Sequence, residues 1–203
     1  VDVVNFVAGS KTVALPILDI LLTEQLADDY VTVPGDDPDL IGVKEYLGVS
    51  TPIFDLVKML EGKSTDVLIS ELLAKLSNQQ VLSQSEARLA RRLAGVTAKD
   101  DMEKLGERLQ EAKEQLKPVL VYTTRDGNKP LIGFVVDLVA DTHTVDDSHI
   151  QPLADALALL PRIAPRTKSL FAGLIGQSKS DPAILLNPQA FSKWVADLEI
   201  ETQ

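Results

Sequence analysis

Two histidines, His143 and His149, stand six residues apart in a stretch that also holds Asp141, Asp146 and Asp147. Imidazole and carboxylate together are the ligand types of a divalent-metal site or the partners of acid–base chemistry. The spacing supports neither. A helical zinc motif needs two histidines one turn apart around a Glu, and the chain has no cysteine to complete another donor set. The stretch reads as a polar loop. A second acidic run, Gly35-Asp36-Asp37-Pro38-Asp39, lacks the alternating ligands, central Gly and closing Glu of a calcium loop and reads as a solvated turn. The sequence contains no Gly-x-Ser-x-Gly elbow and neither of the glycine-rich loops that cradle phosphate. The absence of cysteine also removes disulfides, thiolate metal sites and a cysteine nucleophile. No catalytic, cofactor-binding or metal-ligating residue is therefore assigned, and the chain is expected not to be an enzyme.

Composition narrows the partners. Across 203 residues the net charge is −10, which would repel a phosphate backbone, and aromatic residues make up only 4%, leaving few platforms for bases or sugars. Nucleic acid is not an expected partner. Hydrophobic residues at 45% suffice for a core built mainly of Leu, Val, Ile and Ala. The longest apolar stretch, Leu153 to Leu160, is interrupted by Asp155 and stopped by Pro161, short of the roughly 20 residues a bilayer span requires. No membrane insertion and no signal peptide are expected, and a cytoplasmic location is the expectation.

The elements that must position any interaction surface fall into three zones. Residues 1–60 show short β-branched runs separated by turn signals: Val3 to Val7, Thr12 to Leu15, Tyr30 to Val33, Leu40 to Tyr46, and Val49 to Phe54. Residues 61–117 change period. Leu68, Leu72 and Leu76 predict a helix from Thr65 to about Gln79. Ser83 with Glu86 predicts a capping box for a second helix that stops at Gly95. A third helix opens at Thr97 and runs through Met102, Leu105, Leu109, Ala112 and Leu116 to Pro118. The Leu-rich faces of these helices are read as the unit's own core. Residues 61–118 carry ten basic and ten acidic residues, so the acidic excess belongs to the flanks. Residues 118–203 return to strands: Val119 to Thr124 and Leu131 to Val136 around an Asp126-Gly127 hairpin turn, then Leu170 to Ile175 and Ala183 to Leu186. Pro152 to Leu160 reads as a short helix and Pro188 to Leu198 as a closing one.

The two flanks resemble one family. Phe6, Gly9, Ala14, Leu15, Pro16, Val33, Pro34, Gly42, Val43, Gly48, Pro52, Asp55 and Leu56 match, in order, the first half of CheW-like coupling domains of bacterial chemotaxis. Gly133 to Val139, with Asp137, resembles the Gly-apolar-apolar-Val-Asp-x-Val stretch of the second half, and Ile184 to Pro188 its last strand and helix start. The resemblance implies a mainly β fold of two five-stranded SH3-like barrels sharing an apolar interface. Residues 1–60 and 118–203 would be the two halves, split by a two- or three-helix insertion at 61–117. It also implies an adaptor that binds the regulatory domain of a chemotaxis histidine kinase, a chemoreceptor tip, or both. Where the family usually has an Arg before the second glycine, this chain has Leu47.

On this reading the interface residues are Val33, Gly42, Val43, Tyr46, Leu47, Gly48 and Val49, and Pro16, Pro52, Asp55, Gly133 and Asp137 are structural. Gly42 and Gly48 suit a bend or close backbone approach, while Asp55 and Asp137 suit caps that accept from backbone N–H groups. The Tyr46, Leu47 and Val49 side chains would belong either to a core or to an exposed apolar patch. A different class of function, a stimulus-sensing input domain with its ligand in the helical unit, would require a deep apolar pocket within 61–118.

Overall fold

The computed structural model describes residues 1–35, 37–96, 104–158, 160, 163–176 and 182–193. The first zone forms β1 (Asp2–Ala8), β2 (Lys11–Pro16), a 3-10 turn (Ile17–Asp19), β3 (Ile20–Gln25), β4 (Leu40–Tyr46) and β5 (Val49–Asp55). The helices are α1 (Leu56–Glu61), α2 (Thr65–Ser77), α3 (Gln84–Ala94) and α4 (Leu105–Glu114). Then follow β6 (Val119–Thr124), β7 (Pro130–Val136), β8 (Leu138–Thr144), β9 (Ile150–Gln151), α5 (Leu153–Ala158), α6 (Pro165–Lys168), β10 (Phe171–Ile175), β11 (Ala183–Leu186) and a helix α7 over 188–193.

Local chemistry explains most boundaries. Asp55 caps α1 by accepting from the Lys58 N–H at 3.1 Å, and Gly62 ends that helix at φ +81°. Ser83 and Glu86 form the expected capping box of α3, which Gly95 closes in the left-handed region. In the β6–β7 hairpin, Asp126 Oδ1 accepts from the N–H groups of Asn128 and Lys129. The stretch from Thr97 to Met102, expected to open the third helix, and the end of the closing helix beyond residue 193 lie outside the described residues.

The strands build two mixed sheets. One has six strands in the order β8-β1-β2-β11-β10-β9, with β2 and β11 parallel; the other has five in the order β3-β6-β7-β5-β4, with β5 and β7 parallel. Both sheets draw strands from both sides of the helices. The pair of closed five-stranded barrels expected from the resemblance is not what forms. The first sheet has a sixth strand, and β9 at its end has only two residues, too few to carry the ladder round to β8. In the second sheet β3 and β4 are unpaired with each other among the described residues. Tyr30 to Val33, expected as a strand, contributes only a bridge between Val31 and Val43.

The two sheets share one core. Phe6, Val13 and Leu15 of the first sheet meet Phe54, Val121 and Phe134 of the second, with Leu56 and Leu60 of α1 between. Phe54, Phe134 and Phe191 form an aromatic cluster with centroids 5.1 to 6.4 Å apart. Each such pair adds about 0.5–1.5 kcal/mol beyond area burial. Helices α2, α3 and α4 pack on a separate small core of Ile69, Leu72, Ala90, Leu105 and Leu109.

Candidate protein-interaction surface

The β4–β5 hairpin turns through two residues, Leu47 and Gly48, between the paired Tyr46 and Val49. Both have positive φ, +50° and +76°, as a type I′ turn requires. Asn-Gly is the favoured pair there, whereas a leucine in the left-handed region costs about 1–2 kcal/mol. Its side chain is 60% exposed. Leu47 thus combines a left-handed backbone with an exposed apolar side chain, and Gln79, at φ +57°, is the other non-glycine residue with positive φ among the described residues.

The hairpin is held rigidly from below. Tyr46 stacks on Tyr122 at 4.6 Å between ring centroids. Lys44 Nζ donates to Glu24 at 2.7 Å and lies 3.1 Å from Asp29, while the Tyr122 hydroxyl donates to the same Glu24 oxygen at 3.0 Å. The hydrogen bond to Glu24 holds the Lys44 ammonium above its usual range. Burial, with the anionic Glu24 beside it, pushes Tyr122 up to about 12.

The other proposed interface residues divide. Gly42 is buried, and a Cβ there would lie 2.5 Å from the Val31 carbonyl oxygen and 2.8 Å from the Tyr30 ring. Val43, half-buried, exchanges backbone hydrogen bonds with Val31 at 2.8 and 2.9 Å. These two residues therefore tie the 30–31 segment to the sheet edge. Val49 is half-buried at the base of the turn, and Val33 is exposed beyond the bridge. Several exposed apolar residues carry no signal in the sequence, among them Val81 at 95%, Leu18 at 87% on the 3-10 turn, and Val31 at 69%. Alternation of apolar residues in a strand marks a buried face, so a lone exposed Val or Leu in a turn leaves no comparable signal.

The structural-motif residues have definite jobs. Pro16 ends β2 opposite Val3. Pro52 pairs with Val43, one residue before the β5–β7 ladder begins at Ile53, so its missing N–H interrupts no β5–β7 bond. Gly133 leaves room for Leu120 and Ile53, whose atoms would lie 2.9 and 3.4 Å from a Cβ. Asp137 joins three regions. Its carboxylate accepts from the Gly9 N–H at 2.7 Å and from the Thr65 hydroxyl of α2 at 2.5 Å, while its own N–H donates to Val7. Burial pushes both Asp137 and Asp55 above the usual carboxylate range.

The same β1–β2 turn receives Glu61, which accepts from the Ser10 N–H at 2.8 Å, and Arg92, which donates to the carbonyls of Ser10 at 2.8 Å and Lys11 at 3.2 Å. The helices are thereby clamped to the first sheet by residues that carry no motif in the sequence.

The acidic turn is not free in solvent. Arg166 donates to both Asp37 and Asp39 and lies 5.5 and 5.8 Å from the ring centroids of Phe54 and Phe191. Burial opposes ionisation of Asp37, but the Arg166 hydrogen bond and charge outweigh it, holding the carboxyl below its usual range. Asp36 lies outside the described residues. His143 is on β8 rather than in a loop, 4.0 Å from Asp141, and His149 ends a 3-10 turn. No group of three or more His, Asp or Glu able to hold a metal occurs among the described residues, and no helix among them is long and apolar enough to cross a membrane. Among the described residues, the helical unit has an open groove between α2 and α4.

No protein-family profile matches the chain, and no curated protein does. Among solved structures it is similar to the crystal structure of scaffolding protein TtCheW from Thermoanaerobacter tengcongensis, at 13% identity and a TM-score of 0.48 over 92% of this chain and 88% of that one.

Proposed function

We propose that this chain is a non-enzymatic, cytoplasmic adaptor of chemotaxis-type signalling that binds a histidine kinase regulatory domain, a chemoreceptor tip, or both. The observation that carries a docking role is Leu47, an exposed leucine in a conformation that costs the monomer energy, on a hairpin braced by Tyr46, Tyr122 and Lys44. Val33, Gly48 and Val49 extend the surface, with Val31 beside Val33. The choice of chemotaxis partners is supported by the sequence resemblance. Of its matched residues, Gly9 and Asp137 are hydrogen-bonded to each other, and Asp55 caps α1. Residues 61–117 are on this reading an inserted helical unit with its own core, between flanks 1–60 and 118–203.

Biolayer interferometry of the full chain against both candidate partners tests this reading. Binding that is lost in Leu47→Asn, with the fold intact, supports it; no binding to either partner by well-folded protein contradicts it.

A further inference from the structure

Among the described residues, the helical unit leaves a groove uncovered. It has a volume of about 600 Å³ and runs between Leu73 and Leu76 on α2 and Gly106, Glu107, Gln110 and Glu111 on α4. Three of its features disfavour the chain taken alone. Leu73 and Leu76 lie against the small core of Ile69, Leu72, Leu105 and Leu109 but remain only partly buried. Gly106 has nothing within 4 Å of the place its Cβ would occupy, so no neighbour among the described residues requires glycine there, although alanine favours the helix. Glu107 and Glu111 are exposed like charges one turn apart, a spacing at which they repel. Neither has an ion-pair partner among the described residues.

One occupant reconciles all three. We propose that the groove receives a basic amphipathic helix of a partner protein, which completes a four-helix bundle with α2, α3 and α4. Apolar side chains of that helix cover Leu73 and Leu76. Its backbone crosses close to α4 at Gly106, where the absence of a Cβ shortens the approach. Lysines or arginines on its edges pair with Glu107 and Glu111. Because the rim is acidic, a fatty acid or an acidic peptide would be repelled from the same floor. This inference concerns a face separate from the Leu47 hairpin and does not depend on the identity of that hairpin's partner.

The test uses the full chain and two synthetic 18-residue amphipathic helices, one with a leucine face edged by lysine, the other with glutamate in place of lysine, followed by fluorescence anisotropy. The lysine peptide is expected to bind. Glu107→Lys with Glu111→Lys is expected to weaken it by ~10-fold or more and to admit the glutamate peptide. Gly106→Leu is expected to abolish binding while the circular dichroism spectrum is kept. Gly106→Ala, without peptide, is expected to raise the thermal midpoint by about 2–4 °C. Lysine-peptide affinity unchanged by the double charge reversal would assign binding to the overall acidity of the chain and overturn the proposal. Equal binding of both peptides, or binding of neither, would overturn it as well.

Discussion

Replacing Arg166 by methionine probes the contact on which the acidic turn and the shared core both depend. The guanidinium bridges Asp37 and Asp39 while lying over Phe54 and Phe191, so it joins the β3–β4 connection to α6 and α7. The carboxylates it neutralises are largely withdrawn from water, with 25% and 13% of their side-chain surface exposed. Breaking a fully buried pair costs about 3–5 kcal/mol, and residual solvent access at these aspartates lowers that figure. Loss of two ring contacts adds about 1 kcal/mol, part of which methionine restores by filling the space. A net cost of ~2–4 kcal/mol follows, or a fall in thermal midpoint of roughly 5–15 °C for a chain of this size. Urea unfolding at pH 7 measures it directly.

The three residues should be energetically coupled: adding Asp37→Asn and Asp39→Asn to the Arg166→Met variant should recover stability, because the stranded charges are then gone. The pH dependence has a definite sign. Since the folded pKa of Asp37 is below its unfolded value near 3.8, the stabilisation is present above that pH and is lost as pH falls through the folded pKa. A cost under ~1 kcal/mol for Arg166→Met, or additive effects in the triple variant, would refute a partly buried clasp.

Three further outcomes are expected. Leu47→Asn should stabilise the isolated chain by about 1 kcal/mol in urea unfolding, since asparagine tolerates the left-handed turn; destabilisation would show that Leu47 packs inward. Asp137→Ala should cost ~2–3 kcal/mol by stranding the Gly9 N–H, whereas Asp137→Asn should cost under ~1 kcal/mol. Because burial raises the folded pKa of Asp137, the titration-linked part of its contribution is present below its unfolded pKa and lost as pH rises through the folded value, while the hydrogen bonds from Gly9 and Thr65 remain. Asp137→Asn should flatten that part of the stability profile. Gly42→Ala places a methyl group against the Val31 carbonyl and should cost about 1–3 kcal/mol, with faster amide exchange at Val31 and Val43.

The regular elements were legible where a single local rule governs them. The capping box of α3, the Asp55 cap and the Asp126-Gly127 turn each need only neighbours in sequence. Strand β8 was missed because Leu138 to Thr144 lies mostly exposed at a sheet edge and shows no alternation. The short pairing of Val31 was overestimated because β-branched residues suit any extended segment, whether or not a neighbour exists. The interleaving of both flanks into each sheet is a long-range property that periodicity does not record. Of the candidate surface, Leu47 stands out in the sequence as a departure from the family pattern and Gly48 as a match to it, but the positive φ at Leu47 comes only from the structure. Arg166, Glu61 and Arg92 carried no signal, since a lone charge in sequence does not reveal a partner about 50 to 130 residues away.

The most direct measurement is the affinity of the full chain and its Leu47→Asn variant for a chemotaxis kinase regulatory domain and a receptor-tip fragment, taken at one salt concentration by biolayer interferometry. An adaptor that docks through the hairpin binds at least one of them, and Leu47→Asn weakens that binding by ~10-fold or more while the variant unfolds at higher urea. Wild-type and variant binding with equal affinity would remove the hairpin from the interface, and no binding to either partner would contradict the adaptor function itself.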